Sequence, residues 1–415
     1  MHVTNFLVSL SNNIYSPSRA FSPLSDEGEP EMLFTLEALQ AKHGDSLLLH
    51  YGKPNNPKLI VIDGGPAGVY KNSLLPRLTA LKETRSPDNP LAIRMLMVSH
   101  LDDDHINGVL AFLDDLVEKQ DNNEELPFNV ITLWHNSFDD IVGNESQEML
   151  KALSAAVKTG GAVSASIPSS RSGNAIAASV PQGREVRNNA KQLALSINDP
   201  FGTLVACPVK GKKTVTIGDG LKFTVLGPVK DRIEKLQIEW NAVLEKKGLA
   251  TNKDGQALAA AFLDESVFNL SSIVVLAEAG KKRMLLTGDA RGDDVLKALK
   301  SSGLLKTKPL HVDLLKLPHH GSDRNVETDF FRQITADHYV VSADGRHGNP
   351  EVSTLQMISE ARGKDKFTVY LTNREKRLDT FFASEKKKGK KYTVVFRDPN
   401  ELSLWVDLGD DTLAD

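Results

Sequence analysis

Ser99-His100-Leu101-Asp102-Asp103-Asp104-His105-Ile106-Asn107-Gly108 is the stretch on which the reading of this chain turns. Four side chains able to ligate a metal, His100, Asp102, Asp104 and His105, fall within six positions. A largely apolar run, Ile93–Val98, leads into them. Ile106 then opens a stretch with apolar residues at Val109, Leu110, Leu113 and Val117, the spacing of a helix face. The cluster therefore joins a strand end to a helix start. Burying unpaired charge is costly, and a divalent cation is the usual way to satisfy two histidines and three carboxylates in such a place. A plain acidic helix start accounts for Asp102, Asp103 and Asp104, which suit the positive end of a helix. It does not account for the histidines.

Three later segments repeat the pattern of an apolar strand followed by ligand-type residues: Met284–Asp289, Leu314–His320 and Tyr339–His347. Strand ends that converge on one rim of a sheet make a site. Asp289 could bridge two cations, because a carboxylate has two oxygens. His319, His320 and His347 could complete the shells.

The chain around these segments has the composition of a globular protein, with 40% hydrophobic and 25% charged residues. Its 415 residues suffice for a large core. The net charge of −4 shows no basic excess, so a nucleic-acid role would rest on a local patch. The single cysteine, Cys207, excludes an internal disulfide framework and reads as a core thiol. No run of apolar residues is long enough to span a membrane, and no signal peptide is evident, so a cytoplasmic location without membrane attachment is expected. Residues 1–31, rich in Ser, Asn and Pro, read as a poorly ordered extension, and regular patterning begins at Met32.

Strands are expected at Leu33–Leu39, Leu47–Tyr51 and Leu59–Ile62, the last ending in Asp63-Gly64-Gly65. A helix over about 73–83, the strand Ile93–Val98, the cluster with its helix, and the strand Val130–Trp134 follow. Residues 140–212 read as an insertion with a helix near 146–158 and a long surface segment. Strands return at Leu204–Cys207, Val215–Ile217 and Leu221–Leu226, followed by a helical stretch over 229–247. Ser272–Glu278 and Arg283–Leu286 form a pair around Gly280-Lys281. Leu314–Leu317, His338–Ser342, a helix from about 353 and a strand hairpin at about 367–407 complete the chain. The lysine-rich run 386–391 is expected at the tip of that hairpin. Strands alternate with helices only in part, so the class is α/β with mixed sheets.

His-x-Asp-x-Asp-His at 100–105 resembles the His-x-His-x-Asp-His motif of metallo-β-lactamase-fold hydrolases. Asp63-Gly64-Gly65, Asn269–Val274 with Leu285–Ala290, and Leu315-Lys316-Leu317-Pro318-His319-His320-Gly321-Ser322 resemble companion segments of one branch, in the right order. That branch holds the metallo-β-lactamase-like domain of competence DNA-uptake channels and its soluble relatives. The resemblance implies an αββα sandwich of two mixed β-sheets flanked by helices, over residues 32–415, with metals at one edge. It also implies that His100 and Asp102 hold one metal, Asp104 and His105 a second, and that Asp289 bridges them. Asp104 would serve catalysis as well. Of His319 and His320, one would be a ligand and the other would protonate a leaving group; His320 is taken as the ligand and His319 as the catalytic residue.

Two departures from the family stand out. The histidine expected before the bridging aspartate is absent at Leu226-Gly227-Pro228, where His135 could substitute. The last segment reads His347-Gly348-Asn349-Pro350, so His347 or Asn349 would supply the final ligand. Asp102 in place of histidine makes the donor set richer in oxygen, which shifts preference from zinc towards manganese or magnesium. Two divalent ions, zinc or manganese, are the expected cofactors. The expected function is a metal-dependent phosphodiesterase or nuclease acting on nucleic acid or another phosphodiester. Two alternatives stand beside it. One is a hydrolase of a small phosphoester, cyclic nucleotide or lactone. The other is a metal-binding subunit of a multi-protein assembly, such as an anti-phage defence complex, with weak or no turnover.

Overall fold

Strict alternation along the strands gives each of two sheets one face for a shared core and one face for helices. The computed structural model describes residues 32–137, 173–230, 233 and 272–409. The extension 1–31, the helix expected near 146–158 and nearly all of the stretch 229–247 lie outside the described residues.

The first half contributes β1 (Leu33–Leu39), β2 (Leu47–Lys53), β3 (Asn56–Ile62), α1 (Leu75–Arg85), β4 (Leu91–Ile93), β5 (Met95–Val98), α2 (Asp103–Asp121), β6 (Phe128–Val130) and β7 (Thr132–His135). Next come α3 (Gly173–Gln192), β8 (Ser196–Ile197), β9 (Lys213–Gly218), β10 (Leu221–Gly227), β11 (Val274–Ala279) and β12 (Lys282–Leu286). The remainder is α4 (Gly292–Ser301), β13 (Leu310–Lys316), α5 (Thr328–Gln333), β14 (Ile334–Val341), α6 (Val352–Arg362), β15 (Thr368–Leu371), α7 (Lys376–Lys387), β16 (Thr393–Phe396) and β17 (Ser403–Asp407).

One sheet runs β17-β1-β2-β3-β5-β7-β8 and the other β16-β15-β14-β13-β12-β11-β10-β9, with β4 and β6 as a separate pair. Each large sheet is antiparallel on one side and parallel on the other. The change falls at β3 in the first sheet and at β12 in the second. Phe34, Leu36, Leu49, Ile60 and Met97 of the first sheet pack against Phe223, Val275, Met284 and Leu314 of the second in one central core. On the far side of the first sheet, Leu48, Val61 and Leu96 meet Leu78 of α1, Phe112 of α2 and Val186 of α3. On the far side of the second, Leu276, Leu285 and Leu315 meet Leu299, Phe330, Leu355 and Leu378. The order helices, sheet, sheet, helices is the αββα sandwich of two mixed sheets. Trp134 and Cys207 are buried in its central core, the latter as expected from its apolar surroundings.

Several elements differ from the sequence-based expectation. Ile93–Val98 is two strands, because exposed Arg94 breaks the run and sends β4 to β6 while β5 joins the main sheet. The segment after 172 does more than run over the surface. Its helix α3 docks on α2 through Val186 and Ala190 and through Asn189 Nδ2, which donates to Asp114 Oδ1 at 2.6 Å. Its strand β8 then extends the sheet beside β7. Leu204–Cys207 forms no strand; Cys207 makes an isolated bridge to Val229 beyond β10, and Val205 exchanges hydrogen bonds with the Asn136 side chain.

No hairpin forms at 367–407. β15 and β16 are parallel with α7 between them, and β17 belongs to the other sheet. The α7 helix was hidden by its charged composition, yet Leu378, Phe381 and Phe382 recur at helical spacing and face the sheet. The lysine-rich run 386–391 is therefore the end of a helix and the turn after it.

Candidate metal centre

Parallel strands deliver their carboxyl ends to one rim, where loops can converge. β3 ends at Asp63, β5 at Ser99 and His100, β12 at Asp289, and β13 at the turn Pro318–Gly321. These ends meet where both sheets change from antiparallel to parallel. Among the described residues, two groups of buried ligand atoms result. One is Asp45, His105, Asp289 and His320, the other His100, Asp102 and Asp289, and within each group the atoms lie within 4.8 Å of one another. Asp289 belongs to both.

Local structure explains each placement. Asp102 stands at the N-cap position of α2, yet its side chain does not cap the helix. It faces His100 Nε2 at 2.8 Å instead, which removes the plain helix-start reading. The other ring nitrogen of His100, Nδ1, lies 3.1 Å from Ser272 Oγ. His105 sits in the first turn of α2, with Nδ1 2.9 Å from Asp63 Oδ2 and Nε2 3.1 Å from Asp289 Oδ1. Asp63, in the left-handed region at φ 60°, also accepts Ser99 N–H at 2.7 Å. It thus orients His105 by its far nitrogen, as carboxylates behind metal-bound histidines do.

The turn Pro318–Gly321 carries three successive left-handed residues, His319 (φ 47°), His320 (φ 54°) and Gly321 (φ 83°). Such backbone costs on the order of 1 kcal/mol or more per non-glycine residue and collects at functional sites. The conformation turns the two histidines apart. His320 is buried, with Nδ1 donating to the Ser342 carbonyl at 3.0 Å and Nε2 3.4 Å from Asp289 Oδ1. His319 has a side chain 22% exposed, Nδ1 2.8 Å from Asn325 Oδ1 and Nε2 3.6 Å from Asp289 Oδ2.

Burial alone would lower the His105 pKa, but Asp289, Asp63 and Asp104 reverse this and hold it well above the usual histidine range. Burial is likewise overcome at His320, where Asp289 and Asp45 raise the pKa to about 9. For the acids burial acts in the opposite sense. The His320 and His105 charges nonetheless hold Asp289 well below the usual carboxylate range, and His105 and His320 bring Asp104 to about 2. His105 Nε2, His320 Nε2 and Asp45 Oδ1 are buried and make no hydrogen bond. Buried polar atoms are almost always satisfied. Imidazole nitrogens and carboxylate oxygens facing one another become the donor set of a divalent cation once the nitrogens give up their protons, so the residues fit such an ion.

The expected site residues fall into three sets. His100, Asp102, His105, Asp289 and His320 are in the two groups. Asp104 and His319 border them, Asp104 at 3.5 Å from His320 Nε2 and 3.8 Å from His105 Nε2. His347 is in neither group; it is exposed, with its ring edge-on to His43 at 4.9 Å. Its loop instead supports the histidine turn. Asn349 Nδ2 donates to the His319 carbonyl at 3.3 Å, and Pro350 packs where a Cβ on Gly321 would lie. His135 is also in neither group. It is buried with Nε2 3.3 Å from the Gly183 carbonyl, and burial together with Arg187 pushes its pKa down to about 3.

Sequence reasoning missed Asp45 and the orienting role of Asp63. The one available signal for Asp45 was a carboxylate two residues before the buried run Leu47–Tyr51. His50 is buried between Glu37 and Arg85, apart from the two ligand groups.

No family model matches the chain. Microtubule-associated protein 1A of mouse and of human is 35% identical to it over 81 residues, and that of rat 33% identical over the same length. The match takes in 19% of this chain and 3% of each relative, so the chain spans a small part of the relatives' length. Among solved structures, the metallo-beta-lactamase fold protein YhfI from Bacillus subtilis aligns over 90% of this chain and 99% of its own. The identity is 11% and the TM-score 0.33. Among the described residues no helix is long and apolar enough to cross a membrane.

Proposed function

We propose that this chain is a metal-dependent hydrolase that cleaves phosphodiesters, with a nucleic acid as the favoured substrate class. The observation that carries the reading is the sharing of Asp289 between two buried groups of ligand atoms. A bridging carboxylate is a hallmark of two-cation hydrolytic centres, and such ions supply a hydroxide near neutral pH and offset charge on an anionic substrate. Asp45, His105, Asp289 and His320 would hold one ion, and His100, Asp102 and Asp289 the other.

The protein's own groups have separable roles. Asp63 and the Ser342 carbonyl keep the protons of His105 and His320 on Nδ1, which leaves Nε2 as the ligand atom. His319, held through Nδ1 by Asn325, presents Nε2 on the more open side and delivers a proton to the leaving oxygen. Arg346 stands near His43, which in turn neighbours Asp104, and offers a positive group to an anionic substrate. That favours a phosphodiester over a neutral lactone. The resemblance to the competence DNA-uptake domain supports a polynucleotide in particular. Oxygen outnumbers nitrogen in the second group, which makes manganese at least competitive with zinc.

The test is cleavage of single- and double-stranded DNA, RNA and a bis-aryl phosphodiester with Mn²⁺, Mg²⁺ or Zn²⁺, with Asp289→Asn as control. Metal-dependent cleavage of a polynucleotide by the wild type alone supports the reading. Cleavage of only the small diester limits it to small substrates, and activity equal to the control on every substrate rejects it. One observation favours a metal-binding subunit with weak turnover instead: the second group has three donors among the described residues, with His135 and His347 both elsewhere. Stoichiometric metal without cleavage of any substrate would select that alternative.

A further inference from the structure

Lys316 ends β13 with an ammonium group that is 1% exposed, and lysine is almost never fully buried unless paired. Its partner is Asp45, equally buried and 271 residues earlier on the rim of the other sheet, with Nζ 2.5 Å from Oδ2. Nζ also donates to the Leu317 carbonyl at 3.1 Å. With Oδ2 engaged, Asp45 has Oδ1 left for the centre, 3.4 Å from His320 Nδ1 and without a hydrogen bond. Asp45 and Lys316 thus join the two sheets directly beneath the ligand groups. Asp63, Asp102, Asp104 and Asp289 crowd the same rim, and Lys316 is a fixed cation among them.

We infer that Lys316 is a positioning residue of the metal centre, a fixed cation that makes Asp45 a one-oxygen ligand and offsets the carboxylates while no metal is bound. The inference rests on reading Asp45, His105, Asp289 and His320 as a metal group. It has two consequences of opposite sense. The ammonium stabilises the metal-free fold, because removing one partner of a buried pair leaves the other charge uncompensated. It also opposes the incoming cation, because like charges repel strongly where water is excluded. A residue needed only for packing would show the first effect and not the second.

The experiment compares wild type, Lys316→Met and the double variant Asp45→Asn/Lys316→Met, each full length. Mn²⁺ affinity is read by titration with detection of free Mn²⁺, and thermal midpoints are taken with chelator and with saturating Mn²⁺. Lys316→Met is expected to bind Mn²⁺ at least about ten-fold more tightly, about 1.4 kcal/mol. Its midpoint should fall in chelator and recover with Mn²⁺. The double variant is expected to be more stable in chelator than Lys316→Met and to bind Mn²⁺ more weakly than wild type. It also keeps the test open should Lys316→Met fail to fold without metal. Unchanged or weaker Mn²⁺ binding by Lys316→Met, or a double variant no more stable than the single, overturns the inference while leaving the metal reading intact. Wild type that binds no Mn²⁺ overturns the metal reading and the inference with it.

Discussion

Asp289 faces His105 and His320 through Oδ1 and His319 through Oδ2, and it belongs to both ligand groups, whereas His100, His105 and His320 each belong to one. Its loss should therefore differ in kind from the loss of a histidine. After exhaustive loading with Mn²⁺ and desalting, Asp289→Ala is expected to retain almost no metal and His100→Ala to retain about half the wild-type content. Equal retention by the two variants would show that Asp289 is not shared. The pH behaviour follows from the same residues. In the metal-free protein His320 has a pKa raised to about 9, and His105 is raised as well, against about 6.5 for an unfolded histidine. A raised pKa contributes stability that is complete below about 6.5 and is lost as the pH climbs through the folded value. Chelator-treated protein should thus lose stability between about pH 6.5 and 9, by up to about 3 kcal/mol for His320 alone. Metal displaces those protons, so Mn²⁺ affinity should rise over the same interval. Thermal midpoints with chelator that stay flat or increase from about pH 6.5 to 9 would contradict the geometry. At this scale the sequence was legible wherever ligand types cluster locally, as at 100–105 and 319–320. Asp45 and Lys316 were not legible, because each acquires its meaning from a partner 271 residues away.

Helix α2 is seated on the strand-end turn by backbone contact. Gly64 N–H donates to the His105 carbonyl and Gly108 N–H to the Gly65 carbonyl, both at 2.9 Å. A Cβ on Gly108 would lie 1.9 Å from the Gly64 carbonyl oxygen, and one on Gly64 would lie 2.2 Å from the Val109 nitrogen. Only glycines permit this approach, and it brings His105 Nδ1 to Asp63. Gly108→Ala must push the first turns of α2 off the turn 63–65. Overpacking of this kind costs about 1–3 kcal/mol, and here it should also weaken Mn²⁺ binding by moving His105. Alanine at the helix position Lys119, far from the turn, is the matched control, with little expected change in either quantity. A Gly108→Ala protein with wild-type stability and wild-type metal affinity would refute the seating role. Elements that carry their own periodicity, such as β1, β12 and α2, were readable from the sequence. The division of Ile93–Val98 was not, because a single exposed arginine decides which sheet each half joins. The parallel pairing of β15 with β16 was hidden for a different reason: a charged helix between two short strands has the composition of a turn.

On the scale of the molecule, strand and helix patterning reached an α/β class with mixed sheets, and it was the resemblance of four strand-end segments, in order, to the metallo-β-lactamase-fold hydrolases that implied an αββα sandwich. The closing of the first sheet by the last strand could not be read from order. β17 leaves the second sheet's neighbourhood after β16 and pairs antiparallel with β1, from Thr35 opposite Asp407 to Leu39 opposite Ser403. Leu404, Val406 and Leu408 are buried there, at 7%, 3% and 4% exposure. Burying such a side chain contributes about 1.5–3 kcal/mol, so three contribute about 5–9 kcal/mol, comparable with the whole stability of many domains. A chain ending at Glu401 would also leave β1 as an open edge, which invites pairing between molecules. Such a truncated protein is expected to lose its cooperative thermal transition or to aggregate, even when loaded with Mn²⁺. The metal groups themselves lie on α2 and on the loops next to β2, β5, β12 and β13, so this loss would come from the sheet edge alone. Thermal unfolding and sedimentation of the truncated and full chains provide the comparison. A monomeric truncated protein melting within about 2 °C of the full chain would mean that β17 adds far less than its burial implies.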